Sequence, residues 1–70
     1  MKRQAVNSSQ IKSVGYDAAS KVLEIEFHPG SVYQYEDVPQ DLADSLVRAD
    51  SVGHFFGQHV KGVFTHRKVQ

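Results

Sequence analysis

The sequence has no cysteine and no tryptophan, only two prolines, and no excess of either charge. Without cysteine there is no disulfide, no thiolate nucleophile and no sulfur ligand for a metal. Eight basic residues balance eight acidic ones, so no global field draws the chain toward nucleic acid or an anionic membrane. No stretch approaches the roughly 20 apolar residues that a membrane span requires. Met1 is followed by Lys2 and Arg3 with no apolar run. Neither a signal peptide nor a membrane partner is therefore expected, and the cytoplasm is the default location.

Catalytic constellations are missing too. There is no G-x-S-x-G elbow and no phosphate-cradling G-x-x-x-x-G-K loop. Histidines stand at His28, His54, His59 and His66, none in a known catalytic spacing. His54 and His59 are five apart, whereas two ligands on one helical face want a spacing of three or four. No catalytic residue, no metal site and no cofactor is expected, and the chain does not read as an enzyme.

What is present suits one small domain. Seventy residues bury only about 60% of the surface that the unfolded chain exposes, so stability is marginal. Charge is layered along the chain. Lys2, Arg3, Lys12 and Lys21 precede an acidic middle running from Glu24 to Asp50, and Lys61, Arg67 and Lys68 follow it. Such short blocks make an ordinary solvated surface unless the fold gathers the basic ends.

Residues 1–10 are polar and aperiodic and are read as a flexible N-terminal segment; residues 11–70 form the domain. In IKSVGYD, Val14 and Tyr16 share one face and Ile11, Ser13 and Gly15 the other. In KVLEIEF, Leu23, Ile25 and Phe27 oppose Val22, Glu24 and Glu26, and the glutamate side is expected to meet water. A four-residue loop at 17–20 pairs Tyr16 with Lys21 and Val14 with Leu23, which unites the two apolar faces. Pro29-Gly30 marks the next turn, and SVYQYE is a third strand. Pro39 suits a helix start, and Ala43, Leu42, Leu46 and Val47 recur at helical spacing after it. Ser51 reads as the N-cap of a second short helix, VGHFFGQHV, with Phe55, Phe56 and Val60 on its buried side. VFTHRKV is either a short final strand or a tail. Strands followed by helices make an α+β domain: a three-stranded antiparallel meander, then two short helices packed on one face.

The order Val14-Gly15-Tyr16-Asp17, Leu23 to Phe27, Gly30, Tyr33-x-Tyr35, Val38-Pro39 and Ser51-x-Gly53-x-Phe55-Phe56 resembles the KTSC domain family over about residues 8–66. That family takes its name from the C-terminal region of certain lysyl-tRNA synthetases, and other members are small stand-alone bacterial proteins. The resemblance implies a domain of unestablished function, with RNA binding suggested by the synthetase fusion. It carries over only Tyr33 and Tyr35, the central motif, and no catalytic residue. Many members have asparagine after the paired aromatics, where this chain has Gly57.

Tyr33 and Tyr35 lie two apart on a strand and share a face. Paired strand aromatics are also how RNA-recognition motifs stack successive bases. An even turn at Pro29-Gly30 would turn the rings outward with Glu24 and Glu26. An odd turn or a bulge would set Tyr33 by Ile25 and Tyr35 by Leu23. Gln34 and Glu36 make a poor core strand, so the rings are expected to face the core. The expectation is a binding module with RNA as first-named partner: Lys12, Lys61, Arg67 and Lys68 on phosphates, Tyr33 and Tyr35 at reachable ring edges. The alternative is a protein-interaction module or homodimer, using an uncovered second sheet face that carries Ile11 and Val22.

Overall fold

The computed structural model describes residues 2–70. Its elements are β1 (Arg3–Ala5), β2 (Ile11–Asp17), β3 (Val22–Phe27), β4 (Val32–Tyr35), α1 (Gln40–Arg48), α2 (Val52–His59) and β5 (His66–Lys68). The strands form one antiparallel sheet in the order β1-β2-β3-β4-β5. The α+β class and the central meander match the expectation, and the sheet has five strands rather than three. Arg3–Ala5 lie in the segment expected to fray, yet they pair with Gly15, Val14 and Ser13. VFTHRKV supplies the strand β5 against β4.

Both helices lie on the face that carries Val14, Leu23, Ile25 and Tyr35, and these side chains pack with Val38, Ala43, Leu46, Val52, Phe56 and Val60 in one core. Apolar residues recurring every three to four positions give each helix one buried stripe. α1 starts at Gln40 with Pro39 at its N-cap, and Asp41 sits in the first turn and Arg48 in the last, each at the end where the helix dipole favours its charge. α2 is capped as its sequence suggests, the Ser51 hydroxyl accepting a hydrogen bond from the His54 amide at 3.2 Å.

Two registers differ from the sequence expectation. The β2–β3 loop is Ala18 to Lys21, so Tyr16 pairs with Leu23 and Val14 with Ile25. Asp17 remains in the strand because its carboxylate accepts the Ala19 amide at 3.1 Å, while Lys21 turns the chain with φ 57°. A displacement of two residues keeps every side chain on its expected face. The second difference does change a face. The register shifts between Ile11 and Ser13, so Lys12 is the extra residue of a bulge. Ile11 leaves the outer face to which regular alternation assigns it and is fully buried in the core.

The outer face carries a polar row instead of an apolar patch. In register across the sheet stand Arg3, Gly15, Glu24, Gln34 and Arg67. The Arg3 guanidinium reaches past Gly15, which has no side chain, and donates to Glu24 Oε2 at 2.7 Å. Gln34 Nε2 donates to Glu24 Oε1 at 2.9 Å, and Arg67 donates to Gln34 Oε1 at 3.3 Å. Glu24, expected to meet water, is therefore only 9% exposed. Both its oxygens are partnered, as burial of a carboxylate demands. Beside it, Ser13 donates to Glu26 Oε1 at 2.8 Å.

Two tests follow from this packing. Ile11→Ala should lower the unfolding free energy by about 2–5 kcal/mol, read as a lower urea midpoint at unchanged slope. That is a large fraction of a small domain's stability of roughly 5–15 kcal/mol. The Ser13 hydroxyl, more than nearby Lys12, Arg3 and His28, holds the Glu26 carboxyl below the ordinary carboxylate range. A lowered folded-state pKa contributes stability that is present above the unfolded-state value and is lost as pH falls through the folded-state value. Ser13→Ala should therefore lower the thermal midpoint near neutral pH. The gap to the wild type should narrow as the pH falls below the ordinary carboxylate range.

Candidate functional site

The aromatic end of the core face is left open. An open cleft of about 910 Å³ lies between the end of β3, β4, the segment 7–10 and α2. Four rings line it, held edge to face. Phe27 lies 5.7 Å from Tyr33 and 5.3 Å from Phe56, and Tyr35 lies 5.4 Å from Phe56, with interplanar angles of 73–82°. Such T-shaped contacts oppose the positive edge of one ring to the negative face of the next. His66 on β5 pairs with Tyr35 in the ladder. Its imidazole tilts over Tyr35 at 5.4 Å and Tyr33 at 5.8 Å.

The face of the tyrosines follows from the turn before them. His28-Pro29-Gly30 is an odd, three-residue connection. It is closed by the Phe27 amide on the Ser31 carbonyl at 2.8 Å, with Gly30 at φ 149° and the His28–Pro29 bond cis. Ile25 then opposes Tyr33 and Leu23 opposes Tyr35, the inward register that the burial argument selects. Tyr33 is half-buried and Tyr35 is 5% exposed. Burial, and after it the neighbouring Tyr33 phenol, push the Tyr35 hydroxyl above its ordinary pKa. It stays a neutral donor and acceptor through the physiological range. Among the described residues this hydroxyl has no hydrogen-bond partner in the chain, and no side-chain polar atom is sealed from solvent unpartnered. The Tyr35 hydroxyl is therefore not sealed from solvent, and the residue lines the cleft.

The opposite wall is α2. Gly53, His54 and Gly57 line the cleft, followed by Lys61 and Gly62. The segment 7–10 closes one end. There the Ser8 hydroxyl accepts the amides of Gln10 at 3.2 Å and Ile11 at 3.3 Å. Ser8 and Gln10 sit so close to α2 that a Cβ on Gly53 would lie 3.2 Å from Gln10 Oε1 and 3.3 Å from Ser8 Oγ. Asp50 is the one carboxylate among the lining residues. Glu24 and Glu26 are bonded on the outer face.

Of the six residues singled out from sequence, four are brought together. Tyr33, Tyr35 and Lys61 line the cleft, and Lys68 pairs with Tyr33 and so shares its face. Arg67 and Lys12 are not part of it. Arg67 pairs with Gln34 and bonds to it on the outer face, because neighbours on a strand point to opposite sides. Lys12 is the exposed bulge residue, and its charge acts on Glu26. His66 was missed. Its signal was the period-2 placement with Lys68, readable only once VFTHRKV is taken as a strand. His59 packs on Phe55 at 4.4 Å. Among the described residues no group of three or more His, Cys, Asp or Glu side chains is placed to hold a metal ion, and no helix is long and apolar enough to cross a membrane.

Known proteins are similar to this chain. A protein of Stutzerimonas stutzeri, described as uncharacterized, is 46% identical over 61 residues, covering 87% of this chain and 86% of its own length. A lysine–tRNA ligase of Nostoc punctiforme is 41% identical over 56 residues, 80% of this chain but only 10% of the ligase. The crystal structure of a KTSC domain protein from Yersinia pestis superposes with a TM-score of 0.93 at 43% identity, covering 99% of this chain and 97% of that one. The profile of the KTSC domain matches residues 7–64, and with these relatives it places the chain in the KTSC domain family.

Proposed function

We propose that this KTSC domain is a non-enzymatic binding module for single-stranded RNA, with the cleft beside Tyr33 and Tyr35 as its site. The observation that carries the reading is the sorting of charge between the two faces. The aromatic cleft has Lys61, His54 and His66 among its lining residues and Asp50 as their one acid, and Lys68 stands beside Tyr33. Aromatic surface supplies sequence-tolerant stacking, worth about 1–3 kcal/mol per base, and Lys61 and Lys68 answer the phosphates. Two glutamates of the neighbouring strand that would repel a phosphate backbone, Glu24 and Glu26, are held on the other face by Arg3 and Ser13. The cleft volume of about 910 Å³ lies in the range of small-ligand sites, about 300–1,000 Å³. The similarity to a segment of a protein named a lysine–tRNA ligase adds an RNA-related setting.

The self-association reading has less support from the outer face, since Ile11 belongs to the core and the Arg3–Glu24–Gln34–Arg67 row crosses that face. Its other grounds, a small core and the edge strands β1 and β5, stand.

The test is RNA affinity against salt, by fluorescence anisotropy with a labelled single strand. The wild type should bind at low salt. The double variant Lys61→Ala/Lys68→Ala should bind more weakly and flatten the log–log salt slope by about 0.7 for each phosphate that is no longer neutralised. Arg67→Ala, on the far face, should keep the wild-type slope. Absence of binding at low salt, or an unchanged slope in the double variant, overturns the proposal.

A further inference from the structure

The glycines of this chain have separate explanations, and one of them has none within the folded protein. Gly30 and Gly62 have φ of +149° and +77°, a region that side chains rarely adopt. Gly53 stands where a Cβ would crowd the side chains of Ser8 and Gln10. Gly15 leaves room for Arg3 to reach Glu24. Gly57 lies inside α2, where glycine is a poor helix residue, and a Cβ built on it meets nothing within 4 Å. Neither conformation nor packing asks for glycine there. What distinguishes the position is that it lines the cleft, where a bare backbone lets a ligand come close.

A second observation points into the same space. Tyr35 is 5% exposed, so its ring is core, yet its hydroxyl has no partner among the described residues, is not sealed from solvent, and belongs to a residue that lines the cleft. A solvent-reached hydroxyl on an otherwise buried ring suits a ligand that supplies a donor or acceptor there. Between the hydroxyl and the glycine wall the surface is aromatic, with Tyr33, Phe27 and Phe56. Lys61 stands four residues past Gly57 on the same lining. The matching chemistry is a flat, polar-edged ring attached to an anion.

Resting on the RNA reading above, we infer that the cleft is a single-base pocket. It takes one unpaired nucleobase, whose polar edge meets the Tyr35 hydroxyl, while the attached sugar–phosphate passes against the bare backbone of Gly57 toward Lys61. Gly57 and Tyr35 are thus binding residues, and Gly57 trades helix stability for access to the pocket.

The experiment compares wild type, Gly57→Ala, Tyr35→Phe and Lys61→Ala by thermal melting and by anisotropy with short labelled single-stranded homopolymers of A, C and U. Gly57→Ala should raise the thermal midpoint by about 4 °C and weaken RNA binding at least tenfold. Tyr35→Phe should stay folded, weaken binding by roughly three- to tenfold and narrow the spread of affinities among the three homopolymers. If Gly57→Ala and Tyr35→Phe bind like the wild type while Lys61→Ala binds more weakly, the pocket assignment is overturned and the RNA reading stands. If the wild type binds none of the homopolymers at low salt, both are overturned.

Discussion

The structure depends most on the parity of one turn. Three residues, His28-Pro29-Gly30, separate the bonded pair Phe27 and Ser31. This odd connection sets Tyr33 opposite Ile25 and Tyr35 opposite Leu23. A slip of one residue would exchange the faces of β4 completely. Gln34 and Glu36 would then turn to the helices, and both tyrosines would join the glutamates outside. Gly30 at φ 149° lets the chain close this way, a conformation unrestricted only for glycine. The aromatic cluster, the packing of Phe56 on Tyr35 and the seat of His66 all follow from that register.

The same parity organises the polar face. Once the tyrosines point inward, Gln34 lies beside Glu24, and the row can extend to Arg67 on one side and Arg3 on the other. A buried carboxylate is tolerated only when its oxygens are partnered, and β1 delivers one of the two partners. The short N-terminal strand thus completes the outer face, and Gly15 is the gap that lets Arg3 cross from β1 to β3. Segregating the glutamates here is also what leaves the opposite cleft largely free of negative charge.

Much of this was legible in the residues, for identifiable reasons. The inward face of the tyrosines could be read because the alternative buries Gln34 and Glu36. The union of the β2 and β3 apolar faces survived a two-residue displacement of the hairpin, since only odd slips change faces. The Ser51 cap was readable from its type and place. The bulge at Lys12 was not, because Ile11, Ser13 and Gly15 alternate as a regular strand does. β1 and β5 are three-residue polar edges whose pairing rests on long-range partners rather than on a local apolar pattern. The cleft was the least legible feature. It is a gap between elements, and its residues come from five separated stretches of the chain.

That gap sits awkwardly with the size of the domain. A chain of 70 residues has little apolar surface to spare, yet Phe27 and Tyr33 remain only partly covered and α2 holds a glycine that no neighbour requires. Closing the cleft would need nothing more than longer side chains on α2, and such filling commonly stabilises a protein. Tyrosine makes the open arrangement tolerable, since its ring packs against Phe27 and Phe56 while its hydroxyl meets the wet side. Tyr35 goes furthest, with a buried ring and a hydroxyl that no described residue bonds. An opening maintained against the packing needs of so small a core is better explained by what enters it than by folding.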